Sequence, residues 1–311
     1  MGATTCAGLL PRRGRPGAGR RLRFAGVPGR DVYNPTAPFE FGGERLLAAR
    51  VEARDSEVSQ TVFFVAGPDG VWRPRPGAPV FERLQDPCAA FVGGELVLGG
   101  VEIELGPGDC IRGWSMPFFR GRRLEDLARF ARGPAGMKDI RLLELDGGRI
   151  GVAPRPQGEK GGRGTIGWAE FERLEDLNPE GMQDAPLIEG QFAPGEWGGA
   201  NQLHRLEDGS VGVLGHIACF GPGRPPSKHY YPMAFRLQPD GGAVSPLRVL
   251  ATRADFPDAP AKRPELGDVV FSAGLVRRRG GRADLYAGLG DAAVARVEIE
   301  DPFIGFERDG A

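Results

Sequence analysis

A polar start, an apolar strand, a Gly/Asp-rich turn and a second apolar strand follow one another five times along this chain. The stretches are Asp31-Val-Tyr-Asn-Pro with Leu46-Leu-Ala-Ala-Arg50, Asp86-Pro-Cys-Ala-Ala-Phe with Leu96-Val-Leu-Gly-Gly, and Asp139-Ile-Arg-Leu-Leu with Ile150-Gly-Val-Ala. Asn201-Gln-Leu-His with Val211-Gly-Val-Leu, and Asp268-Val-Val-Phe-Ser with Leu285-Tyr-Ala-Gly-Leu, complete the series. Successive starts are 55, 53, 62 and 67 residues apart. A repeat of that length built only from strands predicts propeller blades, each of about four strands. Five repeats predict an all-β, five-bladed β-propeller, with the polar blade openings converging on a central funnel.

The blades are expected over about 31–80, 81–133, 134–185, 186–250 and 262–300, with 22–26 as a strand closing the last one. Leu124-Glu-Asp-Leu and Leu174-Glu-Asp-Leu each follow an apolar strand, 50 residues apart. They read as short helical turns linking consecutive blades. The Pro-rich segments 220–229 and 253–266 are expected as long loops over the central face, where ligands bind. Pro35 ends strand pairing and favours an extended residue before it.

With 311 residues the chain suffices for one full propeller domain, expected over 22–311. Glycine (50) and proline (28) fit a fold of many tight turns and few helices. Lys plus Arg total 40 and Asp plus Glu 41, so no basic excess argues for nucleic acid or a lipid surface. No apolar run approaches the ~20 residues needed to span a membrane. Residues 1–21 are rich in Gly, Arg and Pro, and Arg12-Arg13 and Arg20-Arg21 lack the apolar segment that a twin-arginine signal needs. A loose basic tail is the expectation there. Cys6, Cys88, Cys110 and Cys219 form no CxxC pair, and no His stands at ligand spacing, so neither a zinc site nor a cofactor is expected. They read as mostly buried free thiols in a reducing, cytoplasmic compartment. No pattern sets an oligomeric state.

Several polar clusters carry candidate chemistry. Asp31 and Asn34 open the first blade, and strand alternation places Arg50, Glu52 and Arg54 on one face, either as a site or as a solvated ladder. Asp86-Pro87 suits a carboxylate of fixed geometry that gives a proton to a leaving sugar oxygen, and equally a turn-forming Asp. Lys138-Asp139 opens the third blade. The Gly-rich loop Gln157–Gly164 places Lys160 and Arg163 where they suit an anion or an exposed hairpin, and it lacks the Walker spacing. Glu196, Trp197 and Asn201 combine a stacking ring with polar neighbours, as sugar recognition requires, while His204 and His216 read as structural. Lys228, His229 and Tyr230 group cationic and phenolic donors. Asp268 opens the fifth blade. Neither GxSxG nor GxGxxG occurs, which weakens serine-hydrolase and dinucleotide readings.

Taken in order, Asp31-Val-Tyr-Asn-Pro, Asp86-Pro87, Lys138-Asp139, Gln157–Gly164 and Gly195–Gln202 resemble the mannosyltransferase/phosphorylase family of five-bladed propellers active on β-1,2-linked mannosides. That family is related to the mannoside phosphorylases of glycoside hydrolase family 130, and the resemblance runs from about residue 24 to 305. It implies Asp86 as general acid, carried over from an acidic-Asp-Pro-Arg motif. This chain has Gln85 and Cys88 at the two flanking positions. By residue type it implies Arg50, Lys160, Arg163, Lys228, His229 and Tyr230 as phosphate ligands. Asp31, Asn34, Glu52, Asp139, Glu196, Trp197, Asn201 and Asp268 are then sugar contacts. The implied activity is an inverting β-1,2-mannoside phosphorylase or mannosyltransferase, with mannosides, phosphate and mannose 1-phosphate as partners and GDP-mannose as another possible donor. Two rivals stand beside it: an inverting glycoside hydrolase, with Glu52, Asp55, Glu102, Asp139 or Glu196 as base, and a non-catalytic carbohydrate-binding propeller.

Overall fold

Alternation decides the packing of the central strands. In Glu44–Glu52, Leu46 and Ala48 join one core cluster with Leu84, Leu96 and Leu98. Leu47, Ala49 and Val51 face the other way and join Val32, Phe64 and Val294. Glu95–Leu105 repeats the device: Leu96 and Leu98 pack with the 44–52 strand, whereas Val97 and Val101 pack with Ile140, Leu142 and Val152. Strands sandwiched between neighbouring sheets bury both faces, so they read as nearly continuous apolar runs rather than clean alternations.

The computed structural model describes residues 5–10, 17–239 and 245–304. Its strands form antiparallel meanders in chain order. The first runs Asp31–Tyr33, Glu44–Glu52, Ser59–Ala66 and Val71–Pro74. The second runs Leu84–Val92, Glu95–Leu105, Pro117–Gly121 and Ala128–Arg132, and the third Arg141–Glu144, Ile150–Ala153 and Ala169–Phe171. Trp197–Arg205, Val211–Phe220 and Lys228–Leu237 follow, then Asp268–Arg278, Arg282–Leu289 and Ala293–Glu300. A short parallel contact, His229 to Asp268 and Tyr230 to Val269, joins the last two meanders into one eight-stranded sheet. Core clusters link each meander to the next, and Val294 links the last back to the first. The fold is all-β and propeller-like.

The N-terminal segment corrects two expectations. Arg20–Arg21 pairs with Ala293–Glu300, and Arg23–Phe24 pairs with Val71–Pro74. The last meander is therefore closed by 20–22, with Leu22 N–H donating to the Val294 carbonyl at 2.9 Å, and 23–25 joins the first. The tail expected to be loose is tied again at Cys6–Leu9, a helical turn whose Cys6 and Leu9 bury among Ile217, Tyr231 and Met233. Its apolar side chains supply the burial that a basic composition hides. Residues 1–4 and 11–16 of that tail lie outside the described residues.

The two Leu-Glu-Asp-Leu segments form matching 3₁₀ turns, Leu124–Asp126 and Leu174–Asp176. The first sits inside a meander, between its third and fourth strands, rather than between meanders. Among the cysteines, all free, Cys6 alone is buried; Cys88 and Cys219 are half-buried and Cys110 is exposed. No helix among the described residues is long and apolar enough to cross a membrane.

Candidate active site

Left-handed backbone marks the site before any side chain does. Six described non-glycine residues have positive φ, and four of them, Asn34 (42°), Asp86 (48°), Asp139 (60°) and Asp291 (53°), line one cavity of about 400 Å³. Asn and Asp tolerate this region best among side-chain-bearing residues, and strain of this kind concentrates at functional sites. Pro35 therefore does not impose the extended geometry expected of Asn34. At Asp86 the ladder with Glu95–Leu105 breaks register between Gly99 and Val101, and a bulge of this kind re-aims a side chain. Every meander contributes to the lining, which places the cavity at their common centre.

One side of the cavity is a carboxylate pair. The Asn34 side-chain amide donates to Asp86 Oδ1 at 2.9 Å and to Asp291 Oδ1 at 3.5 Å. Close approach makes this possible: a Cβ on Gly288 would lie 1.9 Å from Asn34 Oδ1. Burial, aided by the charge of Asp86 and opposed by Arg50, pushes the Asp291 carboxyl up from its ordinary value. Arg50 reaches Asp86 Oδ1 at 3.5 Å through Nη1. Its other nitrogens are held by Glu52 (3.0 and 2.8 Å) and Glu57 (3.2 Å), and its guanidinium lies 4.9 Å from the Tyr33 ring centroid. Tyr33 and Lys262 also donate to Glu52, and Lys262 and Arg263 donate to Glu57 at 3.0 and 2.8 Å. Burial opposes ionisation of Glu57, yet these cations hold its carboxyl below the usual range.

The other side is cationic. Arg155 donates to the Gly198 carbonyl at 2.6 Å and the Arg163 carbonyl at 3.1 Å. Its Nη1 stands 3.3 Å from Asp139 Oδ2 without a hydrogen-bond acceptor. Burial opposes charge on Asp139, but Arg155, Lys138 and Arg141 keep it below its ordinary value. Gly199 permits this packing, since a Cβ there would come within 3.0 Å of Arg155, Asp139 and His216. Lys138 and Lys228 line the cavity with no ion-pair partner among the described residues. His216 stacks on Tyr230 with centroids 5.4 Å apart; burial lowers its pKa to about 3 and keeps it neutral. Trp114, Ile103, Ile111 and Val101 give an apolar wall.

Of the residues singled out in the sequence, the structure brings Asn34, Arg50, Asp86, Lys138, Asp139, Lys228 and Tyr230 into this lining, together with His216, which had read as structural. It places the others elsewhere. Asp31 pairs with Arg54. Glu52 is a buried counter-ion beneath Arg50, so the Arg50–Glu52 pair is an internal brace and not a solvated ladder. Glu196 accepts from the Cys6 backbone N–H, and Lys160 donates to the Gln183 carbonyl at 2.8 Å. Arg163 lies over Trp197 and Phe220, centroids 5.4 and 4.6 Å away. Trp197 is buried and donates from its indole to the Tyr230 hydroxyl at 3.1 Å. Asn201 supports His216 at 2.8 Å. His229 and Tyr231 both contact Asp268, at 2.6 and 2.7 Å. Glu57, Arg155 and Asp291 escaped the sequence reading. Asp291 resembles an ordinary turn Asp, and Arg155 sits in a Pro-rich stretch with no periodic signal.

Over residues 16–305 the chain matches a family described as protein of unknown function (DUF1861). No curated protein gives a match. Among solved structures, it is 33% identical to a mannose phosphorylase from Leishmania mexicana in complex with phosphate ion, covering 96% of this chain and 92% of that one, at a TM-score of 0.88. A GDP-Man-dependent mannosyltransferase from the same organism is 30% identical, covering 97% and 96%, also at 0.88. A β-1,2-mannobiose phosphorylase from Listeria innocua, in complex with β-1,2-mannobiose, shares the fold at 16% identity, 92% and 95% coverage and a TM-score of 0.66.

Proposed function

We propose, from the premise that this chain belongs to the DUF1861 family and to the mannosyltransferase/phosphorylase family of its Leishmania relatives, that it is an inverting β-1,2-mannoside phosphorylase, able to run in reverse as a mannosyltransferase. The observation that carries this reading is a single cavity holding the Asn34–Asp86–Asp291 cluster together with Lys138, Arg155 and Lys228. We read the five successive meanders as five blades around it.

In the phosphorolytic direction, Asp86 gives its proton to the glycosidic oxygen, directly or through a sugar hydroxyl. A phosphate oxygen held by Lys138, Arg155 and Lys228 attacks the anomeric carbon from the opposite face. The bond from that carbon to the leaving oxygen breaks, and the products are mannose 1-phosphate of inverted configuration and a shortened mannoside. Cations already fixed in the cavity stabilise the charge without reorganising. Tyr230, stacked on the neutral His216, is positioned to donate to the same anion. Asp291 holds a sugar hydroxyl.

Hydrolysis fits less well. Inverting hydrolases separate their carboxyls by about 6.5–9.5 Å to seat a water, whereas Asp86 and Asp291 lean on one amide. GDP-mannose as donor is the second reading, favoured by the 30% identity to the GDP-Man-dependent enzyme. Incubation with mannose 1-phosphate and mannose, beside a parallel reaction with GDP-mannose, tests both. Phosphate release with a mannobiose product supports the first, GDP release the second, and no product from either donor defeats both.

A further inference from the structure

Outside the cavity, and independent of the proposed function, a second constellation joins the N-terminal turn to the body of the protein. The sulfurs of Cys6 and Cys219 and a carboxylate oxygen of Glu196 all lie within 4.8 Å of one another. Cys6 opens the Cys6–Leu9 turn, Cys219 is near the end of the Val211–Phe220 strand, and Glu196 immediately precedes the Trp197–Arg205 strand. We propose that Cys6, Cys219 and Glu196 form a binding site for a thiophilic divalent cation, zinc being the best match, which pins the N-terminal turn to the sheet.

Two observations support this. Two thiols and a carboxylate form a ligand set suited to zinc, which takes Cys sulfur at about 2.3 Å and carboxylate oxygen at about 2.0–2.2 Å. Such bonds imply ligand edges of roughly 3.8 Å, so the present spacing, within 4.8 Å, has to close by at most about 1 Å. The carboxylate also lacks a counter-ion among the described residues. Glu52 has Arg50 and Lys262, and Asp301 has Arg277, but Glu196 has no cationic side chain beside it among the described residues. Both its oxygens are turned to the Cys6 backbone N–H, at 3.1 and 3.0 Å, which orients the carboxylate as an outer hydrogen bond orients a ligand. Binding releases the two thiol protons and any carboxyl proton to solvent, and a water completes the fourth position. The sequence reading missed the site because it looked for ligands close in the chain, whereas the Cys6–Glu196 contact spans 190 positions.

The test uses the full chain, reduced and stripped with a chelator, then titrated with zinc alone and separately with cobalt(II). The expected result is one equivalent bound, a thiolate-to-cobalt charge-transfer band, and zinc protection of Cys6 and Cys219, but not Cys110, from alkylation. Zinc should also raise the melting temperature by mass action. Cys6→Ser and Glu196→Gln should weaken zinc binding by about tenfold or more, and Cys110→Ser should leave it unchanged. The proposal is overturned if the reduced wild-type chain takes up no zinc or shows no charge-transfer band. It is equally overturned if zinc protects other cysteines, or if Cys6 and Cys219 are joined as a disulfide and their reduced forms ignore the metal. Alkylation mapping is done on the wild type, so it decides the matter even where a variant fails to fold.

Discussion

Asn34 donates its side-chain amide to Asp86 at 2.9 Å across 52 positions of sequence, and both residues hold left-handed backbone to do so. The fold spends conformational strain at this contact, of order 1–3 kcal/mol for each such residue, which ties the orientation of the proposed acid to a residue from the preceding meander.

Asp86→Asn removes the transferable proton while keeping a side chain that accepts positive φ. Phosphate-dependent mannoside cleavage should fall by about 10²–10⁴-fold, with the melting temperature nearly unchanged. Steady-state kinetics beside thermal unfolding checks both halves; retained turnover removes Asp86 from the acid role.

Gly288→Ala tests the orientation rather than the proton. The added methyl would meet Asn34 Oδ1 at 1.9 Å and must displace it. Turnover should drop while phosphate affinity, set on the other side of the cavity, changes little. Calorimetric phosphate titration of the variant separates the two effects.

Lys228 and Arg155 should respond differently to truncation. Lys228→Ala removes a cation that lacks an ion-pair partner among the described residues, so phosphate binding should weaken about tenfold or more at little cost in stability. Arg155→Ala strips a buried partner from Asp139 and two backbone carbonyls. With Arg141 at 3.8 Å as the remaining partner of Asp139, breaking this buried pair should cost about 3 kcal/mol in addition to the loss of binding. Denaturant unfolding distinguishes the variants.

Stability should carry a pH signature from Asp291. Its folded pKa is raised, so the protonated form contributes stability that is fully present below the ordinary aspartate value and is lost as pH rises through the folded value. Asp291→Asn keeps a neutral side chain at all pH. Its stability relative to wild type should therefore increase as pH rises through that window, and level off above it. A difference independent of pH would contradict the buried, proton-holding assignment.

The strands and the ring of meanders were legible because apolar runs between Gly-rich turns encode two-sided burial directly. Asn34, Asp86 and Asp139 were legible as polar residues at the mouths of apolar strands, although Asp31 and Asp268, read the same way, turn to Arg54 and to His229 and Tyr231 instead. Loops carry no such constraint. Lys160 and Arg163 have the composition of an anion cradle, yet one turns to a backbone carbonyl and the other stacks on two rings. Glu196 and Trp197 stand side by side in sequence but point apart, one to the N-terminal turn and the other to Tyr230. Arg155 and Asp291 were illegible because their roles come from partners more than forty residues away, Gly198 for one and Asn34 for the other.

The central claim is phosphate-dependent transfer in one cavity, and phosphorus NMR of the protein with β-1,2-mannobiose and inorganic phosphate tests it most directly. The account predicts that mannose 1-phosphate accumulates in step with loss of the disaccharide, and that omitting phosphate stops cleavage. Release of free mannose at the same rate without phosphate would contradict it.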